Sequence, residues 1–266
     1  MESERLLHPV INKIGVDTQN EVVKEEKRTR MDNQPYGRFQ AVVKENLFKK
    51  HPYRWATIGS MEHLDAATLE EFQAFNKKFY IPNNAVLVVA GDFKKDQAKK
   101  WIAQYFGTIP KGAPIKREQF IEEPITETIK ARFEDNNIQI PAIVAAYRTP
   151  SMKTRDARVL DLISSYLSDG KSSKLYKKIV DDKKIALQVG AFSNSQEDYG
   201  MYILYGLPMG QNSPTDILKE IDEEITKLQT ELISEKDYQK LQNKFDNNFV
   251  SSNASIEGIA ENLASY

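Results

Sequence analysis

Met201-Tyr202-Ile203-Leu204-Tyr205-Gly206-Leu207, followed after a short connection by Ser213-Pro214 and then by Ile217, Leu218, Ile221, Ile225, Leu228 and Leu232, is the stretch on which the fold class turns. A short apolar run bounded by turn residues reads as a buried strand. The serine then offers an N-cap oxygen, the proline suits the first helical position, and apolar residues three and four apart line one helix face. The same order occurs earlier: Ala85 to Ala90 reads as a buried strand and Gly91-Asp92 as a turn. A helix follows with Ala98, Trp101, Ile102, Tyr105 and Phe106 on its apolar face and Gly107 closing it. Repetition of strand then capped helix points to an internal duplication.

Working outward, Asp17 to Arg30 has helical spacing, and Asn33 to Gly37 is a turn cluster. His51-Pro52-Tyr53 opens an irregular stretch reaching Gly59. Asp65 is the expected N-cap of a helix carrying Leu69, Phe72, Phe75, Asn76 and Phe79 until Pro82 ends it. Pro110 to Pro124 combines three prolines, a glycine and six charges without periodicity, the composition of an exposed linker. The expected division is therefore 1–113, a linker at 114–124, and 125–266. In the last part, Ile129, Ala131 and Phe133 alternate as a strand, and Ile140–Tyr147, Ile185–Ala191 and Met201–Leu207 read as further strands. Helices are expected at Thr154–Leu167, at Ser172–Val180, and from Ser234 with Tyr238, Leu241, Phe245 and Phe249 inward. Helices mixed with strands close enough for antiparallel pairing give an α+β class.

Composition sets limits on function. The 266 residues are 40% apolar and 28% charged, enough for a real core and too apolar for a disordered chain. Thirty-seven basic and 38 acidic residues nearly cancel, so no global field attracts nucleic acid or an anionic membrane. The longest apolar runs fall far short of the roughly 20 residues of a membrane helix. Absence of cysteine removes disulfides, thiolate ligands and thiol nucleophiles, and is compatible with both a bacterial periplasm and the cytoplasm, the two expected compartments. Met1 to Leu7 is too charged for a signal peptide core.

The residue with most chemical content is Glu26. At 100° per residue it falls between Val22 and Val23 on the apolar stripe of an otherwise charged helix, while Glu25 looks outward. A carboxylate directed inward must be paired with a lysine or arginine, protonated, or metal-bound. The three histidines, His8, His51 and His63, have no setting that makes a triad, and no two are close enough for a zinc pair on one helix. There is no glycine-rich phosphate loop. Ser172-Ser173 after Gly170 reads as ordinary capping, with anion binding as the alternative.

Taken together, Gln19 to Arg28 with Asp32 to Gly37, His51-Pro52-Tyr53 with Ile58-Gly59-Ser60, and Tyr80 to Ala85 leading to Gly91-Asp92 resemble the pitrilysin/insulinase family of zinc peptidases, which includes the mitochondrial processing peptidases. Tyr147 to Pro150 and Gly170 to Tyr176 match that family's C-terminal domain, so the resemblance spans essentially the whole chain. It implies two mitochondrial-processing-peptidase-like domains, each a mainly antiparallel sheet packed with helices, both incomplete. By this resemblance 1–113 is the back of a metal-binding domain, and 125–266 is a second, homologous domain lacking its C-terminal end.

The resemblance further implies a zinc metalloendopeptidase acting on peptides or small unfolded proteins, with a non-catalytic partner subunit as the alternative. In this family His-x-x-Glu-His supplies two imidazole ligands and a glutamate base, and a downstream helix supplies a carboxylate, which maps onto Glu26. Gln19 stands where a second-shell glutamate is common. His-x-x-Glu-His is absent from this sequence, so the chain is expected to be part of a longer peptidase, and by itself to lack zinc and activity. Val180 and Leu187 occupy positions where the family's non-metal half has a substrate-holding arginine and tyrosine, which favours the metal-binding half; two core-facing apolar residues would explain them equally. A second family half, as homodimer, heterodimer or fused repeat, is the expected partner.

Overall fold

The computed structural model describes residues 1–265. In chain order its elements are α1 (Glu2–Leu7), α2 (Lys13–Lys27) running into a π-helical turn (Arg28–Asp32), α3 (Phe39–Leu47), α4 (Met61–Ala66), α5 (Leu69–Phe79) and α6 (Lys95–Phe106). There follow β1 (Ile143–Pro150), α7 (Arg155–Ser168), a π-helical segment (Tyr176–Asp182), β2 (Ala186–Ser195), β3 (Tyr199–Pro208), α8 (Pro214–Thr230), α9 (Glu235–Ser252) and α10 (Ile256–Ser265). The protein is α+β, with one small antiparallel sheet in the order β1-β3-β2. The described residues form two compact units. One holds 1–37, 50–123 and the chain from Asn247; the other holds Arg38–Lys49 and Pro124–Asp246.

The second of these units is built around the sheet. β3 pairs with β1 from Ile143 opposite Gly206 to Pro150 opposite Tyr199, and with β2 through a register shift near Ala186 and Gln188. Met201, Tyr202, Ile203 and Leu204 are all buried, as expected of a central strand covered on both faces. Tyr202 and Leu204 join Leu167, Leu175, Ile179, Val189, Ile217 and Ile221 in one apolar core. α8 reaches this core as its sequence directs: Ser213 Oγ accepts the Thr215 amide, Pro214 opens the helix, and Ile217 and Ile221 face inward. Burial pushes the Tyr202 phenol up to about 12.

Helices are the only regular elements among the described residues of the first unit, and 85–94 and 108–123 are irregular. α2 lies beside α4 and α5. The Asp65 cap is corrected here: Asp65 lies inside α4, which Ser60 caps, while α5 starts from Thr68 in a reciprocal capping box with Glu71. The expectation of a sheet in each half is also corrected. Neither Ala85–Ala90 nor 129–133 belongs to a ladder, and every described strand begins at or after Ile143. A strand exists only through a partner's backbone hydrogen bonds, and residues 85–90 have none in a ladder: Val86, Leu87 and Val89 are instead exposed.

Candidate functional site

α2 carries Glu26, and the helix packs by a face other than the apolar stripe. Val16 is buried, Asn20 Nδ2 donates to the Leu64 carbonyl at 3.2 Å, and Lys24 reaches Asp65 as well as Glu21 at 2.8 Å. Lys27 meets Asp32 at 3.1 Å. The packed side is thus Val16, Asn20, Lys24 and Lys27, spaced four, four and three. Long lysine stems cover apolar surface while their ammonium groups reach carboxylates, so charged residues can line a packed face. Asp65, then Glu21, hold the Lys24 ammonium above its usual pKa.

The side bearing Val22 and Glu26 is the more open one, while Val23 is partly buried. Val22 is 52% exposed and the Glu26 side chain 39%. Glu26 does not point into an apolar interior; its carboxylate accepts from Arg30 Nη1 at 2.8 Å, one helical turn on. Gln19 lies exposed on the same helix. Among the described residues no group of three His, Cys, Asp or Glu comes together to hold a metal ion. A single half-exposed carboxylate does not fit zinc on its own: it supplies one oxygen-donor residue where a catalytic zinc takes three protein ligands.

The other candidates have structural settings. His8 pairs with Glu4 at 2.8 Å on the surface, and His63 lies exposed in α4. His51 is buried. Its Nδ1 accepts the Tyr53 amide at 3.1 Å, its ring meets Tyr53 edge-on, and its own N–H donates to Glu122 Oε1 at 2.6 Å. Ser172 Oγ accepts from Lys240 at 2.6 Å, and Ser173 is buried behind it. Val180 packs against the core, whereas Leu187 is exposed on β2.

Two polar arrangements escaped the sequence. Glu122, in the stretch that reads as linker, is buried and accepts the amides of Lys50 at 2.7 Å and His51 at 2.6 Å. Lys178 gathers Glu220, Glu223 and Glu224 within 3.0 Å. Partners some 40 to 70 residues apart leave no local signal, although Glu220 and Glu224 at adjacent helical turns beside Ile217 and Ile221 were a visible anomaly.

With this geometry in hand, comparison with known proteins is decisive at the level of family: the peptidase M16 inactive domain matches residues 66–245. The chain belongs to the peptidase M16 family. It is a pitrilysin-type chain without the His-x-x-Glu-His motif. This M16 chain is 26% identical over 253 residues to the zinc protease PqqE of Helicobacter pylori, covering 93% of itself and 56% of that relative. A solved structure of a protease from Helicobacter pylori matches it with a TM-score of 0.83 at 25% identity, over 97% of this chain and 63% of the other. The peptidase M16 inactive domain from Pseudomonas fluorescens shares the fold, with a TM-score of 0.78 at 16% identity over 99% and 62% of the two chains. The M16 chain spans about half the length of the curated relatives it matches.

Proposed function

We propose that this M16 chain is part of a zinc metalloendopeptidase that hydrolyses peptides or small unfolded proteins, and that Glu26 is its carboxylate ligand to the metal. The observation that carries the reading is the more open side of α2. Val22 and Glu26 share a half-exposed face while the lysine-bearing side of the helix is the one packed, so the carboxylate is presented to whatever covers that face. The relatives' name of zinc protease, and their greater length, support a parent in which the imidazole ligands come from polypeptide outside these residues. A second M16 half, as homodimer, heterodimer or fused repeat, would complete the substrate chamber.

Zinc content of the protein from the complete reading frame, with Glu26 intact and as Glu26→Gln, tests this. The expected result is about one zinc per chain and metal-dependent peptide cleavage, both lost in the variant. Zinc retained by Glu26→Gln would remove Glu26 from the ligand set. The match to the inactive domain favours one second reading, a non-catalytic partner subunit. A complete protein that holds no zinc, yet raises the activity of a catalytic mate, would establish it.

A further inference from the structure

Gly200 stands in the middle of a row that crosses the sheet. Thr149 of β1 lies opposite it on one side and Ser195 of β2 on the other, so the three share one face. Gly200, in the central strand, is buried. A glycine inside a strand gives up side-chain packing and often marks a place where another group comes close to the backbone. Here the groups that come close are oxygens: a Cβ on Gly200 would fall 2.5 Å from Thr149 Oγ1 and 3.0 Å from the Asn194 carbonyl oxygen. In the next row on the same face the central strand carries the buried Tyr202 between Tyr147 and Ser193, so the missing side chain belongs to the Gly200 row alone.

Thr149 is 7% exposed, and its Oγ1 is shielded from solvent with no hydrogen-bond partner in the protein. A shielded hydroxyl is destabilising unless another polar group meets it. Gln196, in the hairpin beside Ser195, has a second shielded oxygen, Oε1, in the same condition. Ser195 Oγ stands 3.2 Å from Ser193 Oγ; one of these hydroxyls donates to the other, which leaves the pair a further proton and several lone pairs. The chain leaving β1 closes this end of the sheet. The Met152 amide donates to the Gln196 carbonyl at 2.9 Å, and Lys153 Nζ meets Glu197 at 3.3 Å.

We infer that the Gly200 row is a binding site for one internal water molecule, held by Thr149 Oγ1, the Asn194 carbonyl and Ser195 Oγ. Thr149 donates its hydroxyl proton to the water, and the water donates to the Asn194 carbonyl and to Ser195 Oγ. A buried water needs roughly two to four polar partners, which these groups supply. The water joins β1 to β2 across the one residue of β3 that has no side chain to do so.

A crystal structure of the 266-residue chain at a resolution that places waters tests the site directly. An ordered water is expected within hydrogen-bonding distance of Thr149 Oγ1 and the Asn194 carbonyl, present again in Thr149→Ser and absent from Thr149→Val. Thermal unfolding gives an independent reading, because valine keeps the shape of threonine and removes only the hydroxyl. For a hydroxyl that bonds to nothing, Thr149→Val would leave the unfolding midpoint unchanged or raise it; loss of a bridging water lowers it by about 2–4 °C. A parent structure with no water at the row, or a Thr149→Val midpoint equal to or above that of the parent, would overturn the site.

Discussion

Replacing Lys178 by methionine offers the sharpest check on how the sheet-bearing unit is held together. The Lys178 ammonium lies 3.0 Å from Glu220, 2.9 Å from Glu223 and 3.0 Å from Glu224. The side chains of Glu220 and Glu224 are only 11% and 10% exposed. Burial alone would raise both carboxyl pKa values; Lys183 and Lys178 at Glu220, and Lys227 and Lys178 at Glu224, outweigh it and hold both below the ordinary value. Burial likewise works against the Lys178 charge, and Glu223, Glu224 and Glu220 overcome it. Lys178→Met preserves the packed stem and removes the charge. Orphaning a buried ion costs about 3–5 kcal/mol, and the lysines that remain at Glu220 and Glu224 reduce this to about 2–3 kcal/mol. Amides of 199–208 that exchange through opening of the whole unit should then exchange roughly 30- to 150-fold faster in the variant. The pH dependence has a definite sign. Both glutamates have depressed folded-state values, so their contribution is present above the ordinary 4.5 and is lost as pH falls through the folded pKa. Without Lys178 the depression shrinks and protonation relieves the orphaned carboxylates. The penalty is therefore largest near neutral pH and diminishes at about pH 4. Hydrogen–deuterium exchange of parent and variant, compared at the same pH, measures it. Equal protection at neutral pH, or an undiminished penalty in acid, would refute the reasoning.

Two further substitutions probe other joints. Glu122→Ala removes the acceptor of the Lys50 and His51 amides, and exchange at those two positions should accelerate at least about tenfold while β3 protection is unchanged. Gly206→Ala places a Cβ 2.5 Å from Cγ2 of the fully buried Ile217, and should cost about 1–3 kcal/mol, read as a lower unfolding midpoint in thermal denaturation.

What was legible in the sequence was what is decided locally. Ser213-Pro214 before an apolar face, and Thr154 before Arg155, are cap signals complete within a few residues, and α8 and α7 begin where those signals stand. The Asp65 error was local too: Thr68 with Glu71 is a full capping box, a stronger signal than an isolated aspartate. The strands divide by another criterion. Ile140–Tyr147, Ile185–Ala191 and Met201–Leu207 each overlap a ladder strand, whereas Ala85–Ala90 and 129–133 have similar patterns and no ladder. An apolar or alternating run declares what a segment can pair with, and the pairing itself is non-local. The family was legible because its motifs are scattered in fixed order along the chain; the lysine hub and the Glu122 clip were not, because each joins residues distant in sequence.

The same distinction bears on Glu26. A helical wheel assigns residues to faces without saying which face meets the protein, and here Val22 and Glu26 stand on the more open side while the lysine stripe is the packed one. Among the described residues of the helical unit, Val16, Ile81 and Ala98 are the only buried apolar residues, while Val86, Leu87, Phe75, Trp101 and Tyr105 are exposed. Apolar surface on that scale is costly to leave in water, at about 25 cal/mol per Å². The cost falls on the elements that the proposed longer peptidase would cover: the unpaired strand-like run at 85–90 and the Val22 and Glu26 face of α2. A covering element that removes Val22 from water also desolvates Glu26, and the single surface ion pair with Arg30 compensates a buried carboxylate poorly. Desolvation therefore increases the demand for a stronger cation at Glu26, which is what the proposed metal ligation would supply.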